Sequence, residues 1–546
     1  MVTVSLMLPV LAMAAPRVTS DEAIRAAAKA RLAEESGDAA AALSALIAAA
    51  SADPANAAVR SRILEQALIA GDQPRAVEAA QQLWQSGQQR FDARVILITD
   101  TVRRGDWAAA RAFVRGTDPK SGPDITERLI GPALLSWIDV AMRERDPTRH
   151  LARFGRVGED PTPLWIGATM QLLAGQKAEA VAEAQRLPII NRPSRLVAAR
   201  LAATLDQRGE SAAAQALRAR LVEGVNFFGA TDPPLMAVND ARQGVAQWFG
   251  LLGDSFARTP GGNAELALLL TRAAQWLDPA DPFGRAALAE ALVKMERFDA
   301  ALRVLGDGPQ HGDRRALDLR RGELLAARGD FAQALAAAQS SSGELPDDQR
   351  WLIRFAEIAR RAENPVLAEK IYDRLLAFTT IGTGDAKLRA ALLVTKAEIR
   401  MGQGRWVDAR PLLEAAVAAM PDDPETLNFA GYSALERRDN VPLALARVEE
   451  AWRCDTANPA ITDSLGWAYV ITGDVARGLP LLESAARGEP ANAVINEHLG
   501  DAYWKSGRHI EARYAWRAAA LTAEPDMAAR ISTKLSDGLT PATLAP

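Results

Sequence analysis

Small and apolar positions recur along this chain on a fixed beat. Leu465-Gly466 stands three residues before Tyr469, and Leu499-Gly500 stands three residues before Tyr503. Gly431 lies 35 residues before Gly466, Gly466 lies 34 before Gly500, and Ala397 lies 34 before Gly431. Twelve positions after such an anchor a second small residue follows: Ala409 after Ala397, Gly478 after Gly466, Ala512 after Gly500. Two antiparallel helices approach closely only where both lack bulk, so the paired small residues predict a crossing point. Twenty-four positions after the anchor Pro421 and Pro490 stop the second helix, and Pro525 does so one residue later. The pattern therefore predicts an all-α chain of antiparallel helix pairs. Each helix is about 12 to 15 residues and about 18 to 22 Å long, and each pair buries its apolar stripe against the next.

The same template runs back towards the N-terminus. Gly322 pairs with Ala334 and Pro346, Ala356 with Ala368, Ala289 with Ala301, Ala202 with Ala214, and Ala168 with Ala180. Ala30 pairs with Ala42 and Pro54, Leu64 with Ala76, and Ile98 with Ala110, while a weaker unit near Ala133 fills the gap before Ala168. Gly37, Gly71, Gly105, Gly175 and Gly209 each stand seven residues past an anchor, where the turn between helices needs a permissive backbone. Two stretches break the beat. Residues 222 to 263 carry Asn226-Phe227-Phe228-Gly229, Asp232-Pro233-Pro234 and Thr259-Pro260-Gly261-Gly262, punctuation that predicts an irregular connector. The step from Ala356 to Ala397 stretches to 41, with Thr379 to Asp385 as the extra loop. The predicted organisation is an N-terminal array over 20–221, a connector over 222–263, a C-terminal array over 264–535, and a disordered tail over 536–546.

Charge and composition narrow the function. A net charge of −4 over 546 residues gives no pull towards nucleic acid, and no basic block stands out. The one cysteine, Cys454, excludes an internal disulfide framework and a multi-cysteine metal site. Residues 2 to 15 form an apolar run, and Ala12-Met13-Ala14 has the small-x-small pattern of a signal-peptidase site. That run is too short to span a bilayer, and no other stretch approaches the length of a span. No Lys or Arg precedes Arg17, so two readings stand: a signal peptide over 1–14 whose basic segment was clipped by a misassigned start, or a frayed apolar N-terminus. The first places the protein in the periplasm or envelope, the second in the cytoplasm.

The period, the small residues and the terminal prolines resemble the tetratricopeptide repeat family. The clearest carriers are Leu465-Gly466-x-x-Tyr469, Leu499-Gly500-x-x-Tyr503 with Ala512, Trp516 and Ala519, and Gly322 with Phe331, Ala334 and Pro346. The resemblance implies a solenoid, a right-handed superhelix of about a dozen helix pairs, whose first helices line a concave face that binds proteins. Leu427-Asn428-x-x-Gly431-Tyr432, Ile461-x-Asp463-Ser464-Leu465-Gly466-Trp467 and His498-Leu499-Gly500-Asp501-x-x-Trp504 resemble a bacterial subgroup. That subgroup includes periplasmic lipoprotein adaptors that partner a carboxyl-terminal processing protease. The lipidated cysteine that tethers those adaptors has no counterpart near the N-terminus here.

The family's partner-contact positions lie three before the anchor and one, four and five after it. Carried over, they select Asn428, Tyr432, Asp463, Trp467, Glu497, Asp501, Trp504 and Lys505. Rings interleaved with polar groups suit a bound peptide or helix, since aromatic side chains supply area with few torsions to freeze. The opposing expectation is that Trp467 and Trp504 pack between repeats. Some relatives grip a peptide carboxylate with Lys before and Asn after an anchor. Here Asp463 with Trp467 and Glu497 with Asp501 carry the wrong sign, so basic or neutral segments fit better. Nothing points to a cofactor, a metal, a small-molecule substrate or catalysis. His150, His311, His498 and His509 lack ligand spacing, Gly382-Thr383-Gly384 has no preceding strand, and Ser464 is not in a Gly-x-Ser-x-Gly elbow. The chain is expected to be a non-catalytic scaffold or adaptor. An assembly or regulatory factor of the cytoplasm and a structural subunit of an envelope complex remain alternatives, and a cryptic hydrolase or transferase is a remote one.

Overall fold

The computed structural model describes residues 20–52, 56–115, 125–154, 161–223, 235–306, 314–340, 349–379 and 386–545. Among them are twenty-nine α-helices, one 3-10 helix and no strand. Consecutive helices pair antiparallel, and the chain divides into two compact units, Met1–Ala362 and Glu363–Pro546. The boundary therefore falls at the stretched repeat, not at the expected connector. The apolar N-terminal run, Pro54, Pro346, Asn226 to Pro234 and Thr380 to Asp385 lie outside the described residues.

A left-handed residue stands seven positions past the anchor in nearly every pair. Glycine fills that place at Gly37, Gly71, Gly105, Gly175, Gly209, Gly329, Gly404, Gly473 and Gly507, with φ between 71° and 100°. Glu296, Glu363 and Arg438 take it at φ 61°, 49° and 51°, so the turn geometry is kept even where the residue is not glycine. Arg143, at φ 56°, extends the rule to the weak unit and makes buried Ser136, not Ala133, its anchor. That unit is a helix, Gly131–Ala141, paired with the 3-10 helix Pro147–Phe154.

The predicted crossings are close. A Cβ on Gly478 would lie 2.4 Å from the Gly466 carbonyl oxygen, and one on Gly431 would lie 2.8 Å from that of Ala444. First helices open on a side-chain cap: Asp423, Asn458 and Asn492 accept from amides of the first turn, and Pro424 and Pro459 occupy the first helical position. Neighbouring pairs are further joined by Arg–Glu bridges about one repeat apart. These link Arg62 with Glu34, Arg320 with Glu290, Arg354 with Glu323, Arg400 with Glu369, Arg447 with Glu414, and Arg530 with Glu497.

The first unit does more than stack. Residues 241 to 258, inside the expected connector, form an 18-residue helix, Ala241–Arg258, with eleven buried residues. It lies against Gly131–Ala141 so closely that a Cβ on Gly244 would meet the Trp137 ring at 2.5 Å. Its partner helix Ala264–Leu277 reaches back to Phe91–Arg104 and Ala57–Ala70. There Arg272 donates to the carbonyl oxygens of Leu68 (2.7 Å) and Ile69 (3.0 Å), closing a loop of some two hundred residues. In an open array each repeat touches only its neighbours. In this unit the chain folds back on itself, and Ala93 to Val102 are buried without interruption. Burial and the nearby Arg303 push the Arg272 guanidinium down to about 10, so it remains charged at neutral pH against the negative end of the helix Ala57–Ala70.

The two kinds of glycine should respond differently. Gly473→Ala meets open space, so its cost is conformational, about 1–2 kcal/mol. Gly500→Ala would place a Cβ 2.3 Å from Trp516 Cδ1 and should cost a further 1–3 kcal/mol or so by overpacking, read as the difference in urea midpoints. Arg272→Ala strands two helix-end carbonyls, at about 1–3 kcal/mol. Amide exchange should accelerate along Ala57–Ala70 and stay unchanged in the second unit.

Candidate protein-binding face

The eight expected contact residues sit on three successive first helices of the second unit: Pro424–Glu436, Pro459–Ile471 and Ala493–Lys505. The structure brings them onto one face but leaves few of them open. Asn428 and Tyr432 are half-buried, Trp504 is half-buried and Lys505 is exposed. Asp463, Trp467, Glu497 and Asp501 are buried, and Trp467 and Asp501 show no exposed surface. As folded, those four are packing and ion-pair residues, which corrects the expectation that they offer a contact surface.

The reason is a set of neighbours one repeat further on. Trp467 stacks on the His498 ring, with centroids 4.4 Å apart and planes 7° from parallel. The same imidazole places Nδ1 2.9 Å from Asp463 Oδ2. Glu497 accepts two hydrogen bonds from Arg530, both 2.8 Å, and one from Lys534 at 2.7 Å. Asp501 accepts from Lys534 on both oxygens (2.8 Å), from the Trp516 indole (2.8 Å) and from the Ala545 amide (2.8 Å). Lys534, itself fully buried, comes from the closing helix Pro525–Asp537. Trp504 stacks on His509 at 4.1 Å beside Trp516.

Electrostatics follow from this packing. Burial alone would raise the Glu497 carboxyl, but the bonds from Arg530 and Lys534 overcome it and hold the group below the usual carboxylate range. Burial keeps Asp501 above that range despite Lys534, the Ala545 amide and the Trp516 indole. Burial, then Glu436, Asp463 and Glu497, push the Tyr432 phenol well above its ordinary value, so it remains a neutral donor. Two acceptors on this face, Asn428 Oδ1 and Asp463 Oδ1, are buried with no hydrogen-bond donor among the described residues.

Sequence reasoning missed Arg530, Lys534 and the docking of Ala545. The Arg–Glu interval of roughly one repeat, present at six places, was the signal that could have located Arg530; nothing comparable marked the tail. The tail itself departs from the expected disorder: the last helix runs to Asp537, and residues 538 to 545 are described and folded onto the face. Of the four histidines, His150 faces Asp139 at 3.0 Å, His498 and His509 stack on tryptophans as above, and His311 lies outside the described residues. Ser464 donates to the Ala460 carbonyl within its own helix. No helix among the described residues is long and apolar enough to cross a membrane.

This architecture, helix pairs with small crossing residues and a left-handed turn between them, defines an all-α repeat solenoid of the tetratricopeptide type. Residues 319–386, 394–459 and 464–528 match the tetratricopeptide repeat family model. Similar solved structures include a tetratricopeptide repeat protein of Parabacteroides merdae, 13% identical, with 45% of this chain and 94% of that one covered at a TM-score of 0.37. Yeast Tom70 is 12% identical over 95% of this chain and 96% of its own, at a TM-score of 0.37. The Cut9–Hcn1 hetero-tetramer of the APC/C is 15% identical over 96% and 97%, at 0.34. No curated protein matches the chain.

Lys534→Met should cost about 3–5 kcal/mol, because it leaves Asp501 buried without its cation. The pH response should also shift, because the raised Asp501 and the depressed Glu497 act in opposite directions. In the wild type the stability contributed by Glu497, whose carboxyl is depressed, is present above its unfolded value near 4.5 and lost as pH falls through the folded value. In Lys534→Met the Asp501 carboxyl rises further, so the variant should regain stability as pH falls from 7 towards 5. Urea midpoints from pH 7 to 5 check the variant's gain, and midpoints carried below pH 4.5 check the wild-type loss.

Proposed function

We propose that this chain is a non-catalytic scaffold that binds a segment of a partner protein along the first-helix face of its second unit. The observation that carries the reading is the pair of buried acceptors without a donor among the described residues, Asn428 Oδ1 and Asp463 Oδ1, on the same face as the half-buried Tyr432. A buried acceptor without a donor costs about 1–3 kcal/mol. A partner's backbone amide or side-chain ammonium entering between the helices supplies that donor, while Tyr432 and Trp504 offer contact area and Lys505 fixes an acidic or carbonyl group at the rim. With Glu497 and Asp501 already neutralised by Arg530 and Lys534, the face favours a neutral or weakly basic segment. In the first unit the helices Ala57–Ala70, Phe91–Arg104 and Gly131–Ala141 are packed against Ala241–Arg258 or Ala264–Leu277, which supports assigning the partner to the second unit.

Two finer parts belong to this reading. The apolar run at residues 2 to 15 supports export to the bacterial envelope. The motif around Gly431, Gly466 and Gly500 supports an adaptor that brings proteins to a carboxyl-terminal processing protease, an inference by resemblance. Mechanistically the scaffold needs no chemistry: a long face holds one protein while another part of the chain holds a second, raising their effective concentration.

A photo-crosslinker at exposed position 505 in the full chain should capture a partner in cells. Asn428→Ala should reduce capture at least fivefold with an unchanged melting temperature; unchanged capture would sink the assignment. Fractionation of the same tagged chain tests export, and a wholly cytoplasmic product overturns the envelope location.

A further inference from the structure

The partner-binding face is not empty in the folded chain: residues 540 to 545 lie on it. We infer that this segment is a releasable strap, an internal stand-in for the partner segment, which must leave before the face can be used. The inference rests on the proposed binding role of that face.

Four observations carry it. The strap reaches the first-helix face itself: the Ala545 amide donates to Asp501 Oδ2 at 2.8 Å, on the helix Ala493–Lys505. Ala545 is 4% exposed, and it joins Trp467, Val470, Leu499 and Ala502 in one apolar cluster, with Leu544 and Tyr432 packed against it.

The hold is also weak compared with that on the preceding helix. Pro525–Asp537 is fixed by Arg530 and Lys534, which together make five charge-assisted hydrogen bonds to Glu497 and Asp501. Residues 540 to 545 carry no charge, and their other hydrogen bonds close a turn on itself: Thr540 N to Thr543 Oγ1, Thr543 N to Thr540 O, and Leu544 N to Thr540 O. A small apolar contact and one external hydrogen bond place a segment at the low-stability end of a fold.

A hinge separates the two. Gly538 has φ 83° and ψ −176°, a region open essentially to glycine alone. It also lies flat on Trp504, since a Cβ there would fall 2.3 Å from Cζ2. The self-ordered turn means that the strap can swing out about Gly538 without unfolding the helix before it. Its composition, Thr-Pro-Ala-Thr-Leu-Ala, names the kind of competitor the face accepts: an uncharged segment with small apolar side chains and a free backbone amide for Asp501.

The test needs no knowledge of the natural partner. A labelled, N-acetylated synthetic peptide of residues 538 to 545 is titrated, by fluorescence anisotropy, into the full chain and into a chain lacking residues 540 to 546. The shortened chain should bind the peptide at least tenfold more tightly, and a peptide with Leu544→Asp should not bind. Equal binding by both chains, or none by a shortened chain of unchanged helicity and melting temperature, overturns the strap. If shortening lowers the melting temperature, full-length Ala545→Asp replaces it, because the new carboxylate faces Asp501 and expels the segment. That variant should also take up the peptide, and failure to do so overturns the inference. A positive peptide result with no crosslinked partner from position 505 would leave the releasable contact of residues 540 to 545 standing and bring down the partner-binding role instead.

Discussion

Every element of this molecule depends on how closely two antiparallel helices can approach. At the crossing of Pro459–Ile471 and Val475–Gly488, Gly466 and Gly478 face each other with no room for a methyl group. Close approach at that point sets the rise from one pair to the next and so the register of the polar partners beyond it. The left-handed residue seven positions later turns the chain into its second helix. Where glycine is absent from that turn, as at Glu296 and Arg438, the surrounding pair enforces the same conformation.

On that frame the two units spend their inner faces differently. In the first, the chain's own later helices lie against its earlier ones, and Arg272 ties the helix Ala264–Leu277 to the end of Ala57–Ala70. Its interior is one continuous apolar cluster from Ala30 to Leu324. In the second, the apolar clusters are smaller and are interleaved with buried charge, from His498–Asp463 to Lys534 with Glu497 and Asp501. A buried ion network of this kind contributes less to stability than apolar packing of the same volume, but it fixes one arrangement. The closing helix and the strap after it are thereby aligned on the face that the repeats present.

The helices, their pairing and most turns were legible in the sequence because they rest on local rules: small residues twelve apart, glycine seven past the anchor, proline at the end. The candidate face came from the family resemblance, whose contact offsets, carried over to the anchors, select Asn428, Tyr432, Asp463, Trp467, Glu497, Asp501, Trp504 and Lys505. What could not be read was which of these remain open. Their exposure depends on side chains 30 to 45 residues away, such as His498, Arg530, Lys534 and Ala545, whose approach is fixed by stacking of whole repeats. The expected connector failed for a related reason. Its punctuation, Asn226 to Pro234 and Thr259 to Gly262, brackets the helix Ala241–Arg258, whose Gly244 and Gly253 pack closely against Trp137 and Thr271.

The sequence by itself therefore determined the fold class and the beat of the repeats, on which the resemblance then placed the proposed binding face. Each is encoded within one helix pair, over distances that a local pattern spans. Only the tertiary structure decided that the first unit closes on itself and that four of the eight face residues are buried. It alone also revealed that residues 540 to 545 occupy the face. These outcomes turn on contacts between segments far apart in the chain, and no periodicity records a contact until stacking has brought the two segments together.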